Sequence, residues 1–275
     1  MYWELSKRTM REFLKDDCMH MAAGIAYYAF FSIFPLLLGL IAIIGVLLEP
    51  AEVQGRLQEL VLQAFPASAG IVADNLEGVV ASRGALGFLS LLGLLWSAMA
   101  VFAAIGRSLN RAWDLERQRP FLKQKLLELG MVGAVGLLLL VWLGATAFFR
   151  LAQQFLPAGL QPLEGGPSWD VATWLVPAAF SFGVFLLVYR FVPNTRITWG
   201  DVWPGALLAA ALFEAGKNLF AWYLASFANY SLVYGSLGVI VAFLLWAYLS
   251  AVILLLGAEF TAEYARLFGS HSRRI

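Results

Sequence analysis

Long stretches without a charged side chain are the feature of this sequence that most restricts its fold. A membrane-spanning helix needs about 20 apolar residues, and five parts of the chain approach or exceed that length. No Asp, Glu, Lys or Arg occurs within residues 21–48, 84–106, 129–149, 171–189 or 218–258. The chain is 61% hydrophobic and only 13% charged, whereas an ordinary globular domain is about 25% charged. Because so few charges cannot cover a water-facing surface, we expect an all-α polytopic membrane protein.

The last of these stretches is too long for one span. Turn-forming residues at 229–231, followed by Gly235 and Gly238, divide it between two helices. The earlier of the two should begin near Trp203 and Pro204, because proline suits the first turn of a helix. We therefore predict a single domain over residues 1–275 with six transmembrane helices, at about 21–48, 84–106, 127–149, 171–191, 203–226 and 238–260.

Lysine and arginine are distributed unequally between the two sides that this topology defines. One side receives the N-terminus, the 107–125 loop, the 190–196 loop and the C-terminus, and the other receives only Arg56, Arg83 and Arg150. Basic loops remain in the cytoplasm, so both termini should be cytoplasmic. The first apolar stretch is longer than the roughly 7–15 apolar residues of a signal peptide, and we expect it to be retained as a span.

The connection at residues 49–83 shows two helical apolar stripes on the opposite, outer side. They predict a short pair of amphipathic helices, which either lie in the membrane interface or pack on the outer ends of the spans. The stripes consist of Val53, Leu57, Leu60, Val61 and Ala64, and of Ile71, Val72, Leu76, Val79 and Val80.

Motifs of soluble enzymes are missing from the sequence. There is no phosphate-binding loop, dinucleotide fingerprint or nucleophile elbow. The single cysteine, Cys18, and the distant His20 and His271 do not form a metal-binding pattern. We therefore expect no cofactor, no metal and no enzymatic activity. The carboxylate pairs Asp16–Asp17 and Asp114–Glu116 are interpreted as helix-end or solvated charges.

Glu214 and Lys217 are the most informative charges, because they fall within the fifth predicted span. Three residues apart, they are neighbours on one helix face, and intramembrane charges usually face a bundle interior or a wet cavity. The pair, with Asn218, is a candidate substrate or ion pathway; a structural ion pair is the alternative. The shared face, which we expect to turn inward, contains Leu207, Ala210, Ala211, Glu214, Lys217, Asn218, Ala221 and Ala225. Glu259, at the cytoplasmic end of the last span, should reach water and carries less weight.

The first predicted span supplies three further pathway candidates, Tyr28, Ser32 and Pro35, which lie on one face. Pro35 cannot donate a backbone hydrogen bond and should displace the carbonyl of Phe31, so a kink is expected there. Kinked helices are typical of transport sites, but prolines are also ordinary in membrane bundles.

The 107–125 loop is strongly basic. The positive-inside rule accounts for it first, and contact with anionic lipid headgroups is the second interpretation; we expect no nucleic-acid partner. The candidate headgroup contacts are Arg107, Arg111, Arg117, Arg119 and Lys123.

Several of these stretches together resemble the YihY/BrkB family of bacterial inner-membrane proteins. The similar segments are AAGIAYYAFFSIFP at residues 22–35, YRFVPN at 189–194, PGA at 204–206, YGSLG at 234–238, LWAY at 245–248 and GAE at 257–259. The resemblance implies a six-helix fold in the bacterial inner membrane without an established common activity. One family member has carried the name ribonuclease BN, and others have been suggested to move lipids or amphipathic solutes. The resemblance marks Tyr28, Ser32, Pro35, Lys217, Tyr234, Gly235 and Glu259 as family-motif positions.

The leading functional expectation is a transporter or flippase-like protein for an amphipathic or anionic substrate, with membrane lipids as partners. A non-catalytic envelope scaffold is the alternative, and a membrane-associated ribonuclease is a distant third. The sequence leaves the oligomeric state open, with a homo-oligomer among the alternatives.

Overall fold

The computed structural model describes residues 2–47, 83–115, 119–155, 167–226 and 237–269, and all regular structure in these residues is α-helical. This confirms the all-α prediction. The described helices are α1 (Tyr2–Lys15), α2 (Cys18–Leu47), α3 (Arg83–Ala112), α4 (Phe121–Phe155), α5 (Pro167–Phe191), α6 (Trp199–Ser226) and α7 (Leu237–Leu267). Helix α2 packs along α3 and α7, and α6 contacts both α5 and α7.

Small residues bring α6 and α7 together. A Cβ built on Gly205 would lie 2.8 Å from the carbonyl oxygen of Gly257 and would overlap the hydroxyl of Thr261. A Cβ on Gly257 would lie 2.8 Å from the Cβ of Ala209. Since small side chains allow helix backbones to approach closely, these glycines allow the close packing of α6 against α7.

Helix α6 begins four residues before the predicted start, so the assignment of Pro204 to the first turn is wrong. A reciprocal cap explains the earlier start. The carboxylate of Asp201 accepts hydrogen bonds from the Thr198 backbone N–H at 3.1 Å and from the Thr198 hydroxyl at 2.7 Å. The backbone N–H of Asp201 in turn donates to the Thr198 carbonyl at 3.1 Å. Such caps satisfy donors that a helix start leaves open.

The N-terminal segment forms a helix that the sequence analysis did not assign. Helix α1 packs against α7 and buries Leu5 and Phe13. It ends at a turn in which Asp17 has a φ of 53°, a conformation that aspartate tolerates better than most residues. This turn leads directly into α2.

The basic segment between the second and third predicted spans is mostly helical rather than a loop. Helix α3 continues to Ala112 and α4 begins at Phe121. Asp114, with a φ of 51°, ends α3, and the Leu115 N–H donates to the Asn110 carbonyl at 2.9 Å. This is the Schellman arrangement of a helix C-terminus. Asp17 and Asp114 thus confirm the helix-end interpretation. Asp16 also follows the end of α1, but it is buried and is not a solvated charge, and Glu116 lies outside the described residues.

Among the described residues, one stretch has the length and apolar composition of a membrane span, Ile240–Leu267, and an 18-residue window of it has a mean hydropathy of 2.5. A shorter apolar helix covers Pro177–Phe191. The six-span topology stays a prediction. The amphipathic pair at residues 49–83 falls outside the described residues except for Arg83, as do Arg117 and the turn at 229–236. Helix α2 continues through Pro35, whose side chain is not among those described, so the kink there also stays a prediction.

Candidate functional site

Three polar side chains meet between α5 and α6. The Lys217 ammonium lies 2.5 Å from Oε2 of Glu214, one turn away on α6. The Ser181 hydroxyl on α5 contacts Oε1 of Glu214 at 2.9 Å and the Pro177 carbonyl at 3.0 Å. Ser181 was not a sequence-based candidate; it stands four residues after Pro177, where a hydroxyl can reach the carbonyl one turn back.

The two charges of this cluster differ in exposure. The side chain of Glu214 is 16% exposed, and that of Lys217 is 43% exposed. The Ser181 hydroxyl and the Lys217 ammonium both contact the largely buried carboxylate, while part of the ammonium remains accessible. Asn218 is exposed and its amide donates to the Glu214 carbonyl at 2.8 Å, so all three α6 candidates lie together.

The α6 face that was expected to turn inward as a unit is divided in the structure. Ala210 is buried, but Leu207, Ala211, Asn218 and Ala221 are exposed in the described part of the chain. The buried side of α6 is rotated toward Val202, Ala206 and Ala209. The reason is the glycine contact with α7, because it fixes which residues face the core.

The α2 candidates lie away from this cluster. Tyr28 is 38% exposed, and the Ser32 hydroxyl donates to the Ala29 carbonyl of its own helix at 2.6 Å. No described contact joins either residue to Glu214 or Lys217. The six pathway candidates therefore divide between α2 and α6, and their assignment to one pathway stays a prediction.

The basic candidates have different surroundings. Arg119 binds at the C-terminus of α5. Its guanidinium donates hydrogen bonds to the carbonyls of Phe191, Val192 and Pro193 at 3.4, 3.0 and 2.7 Å. Arg111 lies 3.8 Å from Asp16. Arg107 and Lys123 are exposed and have no ion-pair partner among the described residues.

Glu259 is the group whose environment the sequence analysis misjudged. Its side chain is fully buried rather than in reach of water, and its Oε2 has no hydrogen-bond partner in the described part of the chain. The Cys18 thiol at the start of α2 lies 3.5 Å from Oε1. Burial raises the pKa of Cys18 well above its ordinary value, and Glu259 adds to the shift. The sequence signal for the burial of Glu259 was the GAE motif at residues 257–259, in which two small residues precede the carboxylate.

Asp16 lies near this carboxyl, at the end of α1. Burial raises its pKa above the ordinary 3.8, although Arg111 opposes the shift. The described residues contain no group of three or more His, Cys, Asp or Glu side chains placed to hold a metal ion.

Comparison with known proteins identifies the chain's relatives. The family described as virulence factor BrkB matches residues 9–274. The chain belongs to this family. As a BrkB-family member it is a membrane protein, and its curated relatives are mostly named as membrane proteins without a stated activity.

Three relatives indicate the range of the family. A UPF0761 membrane protein of Alkalilimnicola ehrlichii is 32% identical over 92% of this chain and 56% of its own length. The putative ribonuclease-like protein YfkH of Bacillus subtilis is 32% identical over 88% of each chain. A UPF0761 membrane protein of Azotobacter vinelandii is 29% identical over 90% of this chain and 60% of its own. The chain thus spans little more than half of some relatives. No solved structure matches it significantly.

Proposed function

We propose that this BrkB-family protein is a multi-pass transporter or flippase-like protein of the bacterial inner membrane. It has six spans, both termini in the cytoplasm and the 49–83 helical pair in the periplasm. Its substrate is an amphipathic or anionic molecule, and its activity does not depend on a cofactor or on catalysis.

The observation that carries this proposal is the Glu214–Lys217–Ser181 cluster. A charge pair within an apolar helix is costly, and here Glu214 is held by two donors while Lys217 remains 43% exposed. The accessible ammonium can exchange its carboxylate partner for an anionic substrate.

Reconstitution in liposomes tests the proposal directly. Purified protein is incorporated with fluorescent phospholipids, and the fraction that becomes accessible to an external quencher is measured. Lys217→Met should reduce movement at least tenfold, and Glu214→Gln should change the rate of movement because it removes the negative partner of Lys217. Lys7→Met is the matched control, since it removes one lysine from α1 outside the predicted spans.

Two results would contradict the proposal. If Lys217→Met leaves lipid movement unchanged, transport does not depend on this cluster. If both α6 variants assemble normally and support wild-type growth in a strain that needs the protein, the Glu214–Lys217 pair has a structural role. That result would favour the envelope-scaffold alternative. The ribonuclease-like name of the Bacillus relative suggests a third assay, metal-dependent RNA cleavage by the purified protein, which we expect to be negative.

A further inference from the structure

A second feature, separate from the α6 cluster, is a groove between α2, α3 and α4. Its volume is about 190 Å³. Tyr28 of α2, Lys125 of α4, and Trp96, Met99, Ala100, Ala103 and Arg107 of α3 line it. Of these residues, only Tyr28 and Arg107 were among the candidates from the sequence.

The α3 residues of this groove form a single stripe with a chemical gradient. Each of them is three or four residues from another member, so they lie on one helix face. From Trp96 to Arg107 the stripe extends about 16 Å along the helix axis. It begins with an aromatic side chain, passes a methionine and two alanines, and ends with a guanidinium. The groove therefore has an apolar end and a cationic end.

The charge at the cationic end is not balanced. Lys125 is paired with Glu128 at 2.7 Å, and Gln124 donates to the same carboxylate at 3.0 Å. Arg107 is exposed and has neither an ion pair nor a side-chain hydrogen bond with any described residue. Glu128 compensates one of the two cations, so one positive charge remains, and it belongs to Arg107.

The position of this charge relative to the predicted spans indicates its ligand. Arg107 follows directly after the predicted span 84–106, on the cytoplasmic side, at the depth where headgroups of the inner leaflet lie. Trp96 lies deeper in the same span. A ligand that fills the groove must therefore carry one negative charge at the membrane surface and an apolar segment that points into the bilayer.

We propose that the groove binds an anionic phospholipid of the inner leaflet, with the phosphate on Arg107 and Lys125 and part of one acyl chain along Ala103 and Ala100 toward Trp96. A guanidinium offers several N–H donors in a planar fork that matches phosphate oxygens, and the two alanines leave space for a chain. This inference rests on the proposed function, since it names the substrate class as an anionic phospholipid and its entry side as the cytoplasm.

Quenching of Trp96 fluorescence tests the site without requiring transport. The full chain in detergent micelles is titrated with phosphatidylglycerol or phosphatidylcholine that carries brominated acyl chains. The contribution of Trp96 is the difference between wild type and Trp96→Phe. We expect phosphatidylglycerol to reach half-maximal quenching of Trp96 at about fivefold lower mole fraction than phosphatidylcholine. This difference corresponds to the attraction of about 1 kcal/mol between one basic residue and an anionic lipid surface.

Charge variants separate the site from the general surface charge. Arg107→Gln should abolish the preference for phosphatidylglycerol, and Arg107→Lys should retain part of it. Arg11→Gln is the matched control, because Arg11 is an exposed cation on α1 that neither lines the groove nor belongs to the candidate headgroup contacts. A control that loses as much preference as Arg107→Gln would overturn the proposal, and so would equal quenching by the two lipids in wild type.

Inorganic phosphate distinguishes a lipid headgroup from a soluble phosphate. Millimolar phosphate should compete only weakly with brominated phosphatidylglycerol. If phosphate alone raises the melting temperature through Arg107 and phosphatidylglycerol adds nothing, the ligand is a soluble anion and the lipid proposal fails. Equilibrium binding and liposome transport are separate measurements, so failure at Arg107 leaves the Lys217 experiment intact, and the reverse also holds.

Discussion

Asp16 is a buried carboxyl group at the junction of α1 and α2, and it should make stability depend on pH. Burial raises its pKa above 3.8, and the Asp114 carboxylate adds to the shift while Arg111 opposes it. The folded state therefore binds the proton more tightly than the unfolded state does. The contribution of Asp16 to stability is fully favourable only while the group is protonated, and it is lost as the pH rises from 3.8 through the raised pKa.

The expected result is that Asp16→Asn flattens the melting-temperature profile in this pH window. Melting of the purified protein in detergent from pH 4 to pH 7 provides the measurement. Asp17→Asn is the control, since Asp17 is 72% exposed and asparagine also tolerates its positive φ. A wild-type profile that rises with pH relative to Asp16→Asn would contradict the assignment.

Arg119 is predicted to stabilise the fold rather than to bind lipid. Its three bonds to carbonyls at and just beyond the C-terminus of α5 are made by a charged donor, and such hydrogen bonds contribute about 1.5–3 kcal/mol. Arg119→Gln should lower the unfolding free energy by about 2 kcal/mol and leave the phosphatidylglycerol preference unchanged. Lys123→Gln should change stability by less than about 0.5 kcal/mol. Loss of lipid preference without loss of stability would reverse this assignment.

At the scale of the elements, the contact of α6 with α7 depends on two glycines. Gly205→Ala should destabilise the protein by about 1–3 kcal/mol, because the new methyl group meets the backbone of Gly257 and the Thr261 hydroxyl, and overpacking costs that much. Gly130→Ala is the matched control on α4, where a Cβ meets nothing within 4 Å. It should be neutral or stabilising by up to about 1 kcal/mol, since alanine favours helix more than glycine does. Equal effects of the two substitutions would show that the close approach is not limiting.

Hydropathy alone predicts that these elements are helices, but not where they end or which face is buried. Apolar residues specify a helix of the right approximate length, whereas the start of α6 depends on the hydrogen bonds between Thr198 and Asp201. The orientation of α6 depends on Gly257, which is distant in sequence. The burial of Glu259 depends on α1 and α2 covering it, so a charge at a helix end could not be distinguished from a solvated one. The Glu214–Lys217 pair was predictable because both partners lie on one helix.

For the whole molecule, the single cysteine makes membrane topology directly measurable. Cys18 is fully buried and its thiol has a raised pKa, so the reactive thiolate is scarce. The folded wild-type protein should therefore react negligibly with a maleimide, and denaturation should expose one reactive thiol. Labelling of the folded protein at a rate typical of an exposed thiol would contradict the packing of α2 against α7.

That low background allows single cysteines to test the six-span arrangement. Arg56→Cys lies in the predicted periplasmic pair, whereas Lys7→Cys and Lys123→Cys lie on the predicted cytoplasmic side. A membrane-impermeant maleimide applied to intact spheroplasts should label only the cysteine at position 56, and inside-out vesicles should show the reverse pattern, because basic segments remain in the cytoplasm. If position 123 is labelled from outside, Arg107 and Lys125 face the outer leaflet. The groove would then accept its lipid from the periplasmic side, and the direction of transport inferred from it would be inverted.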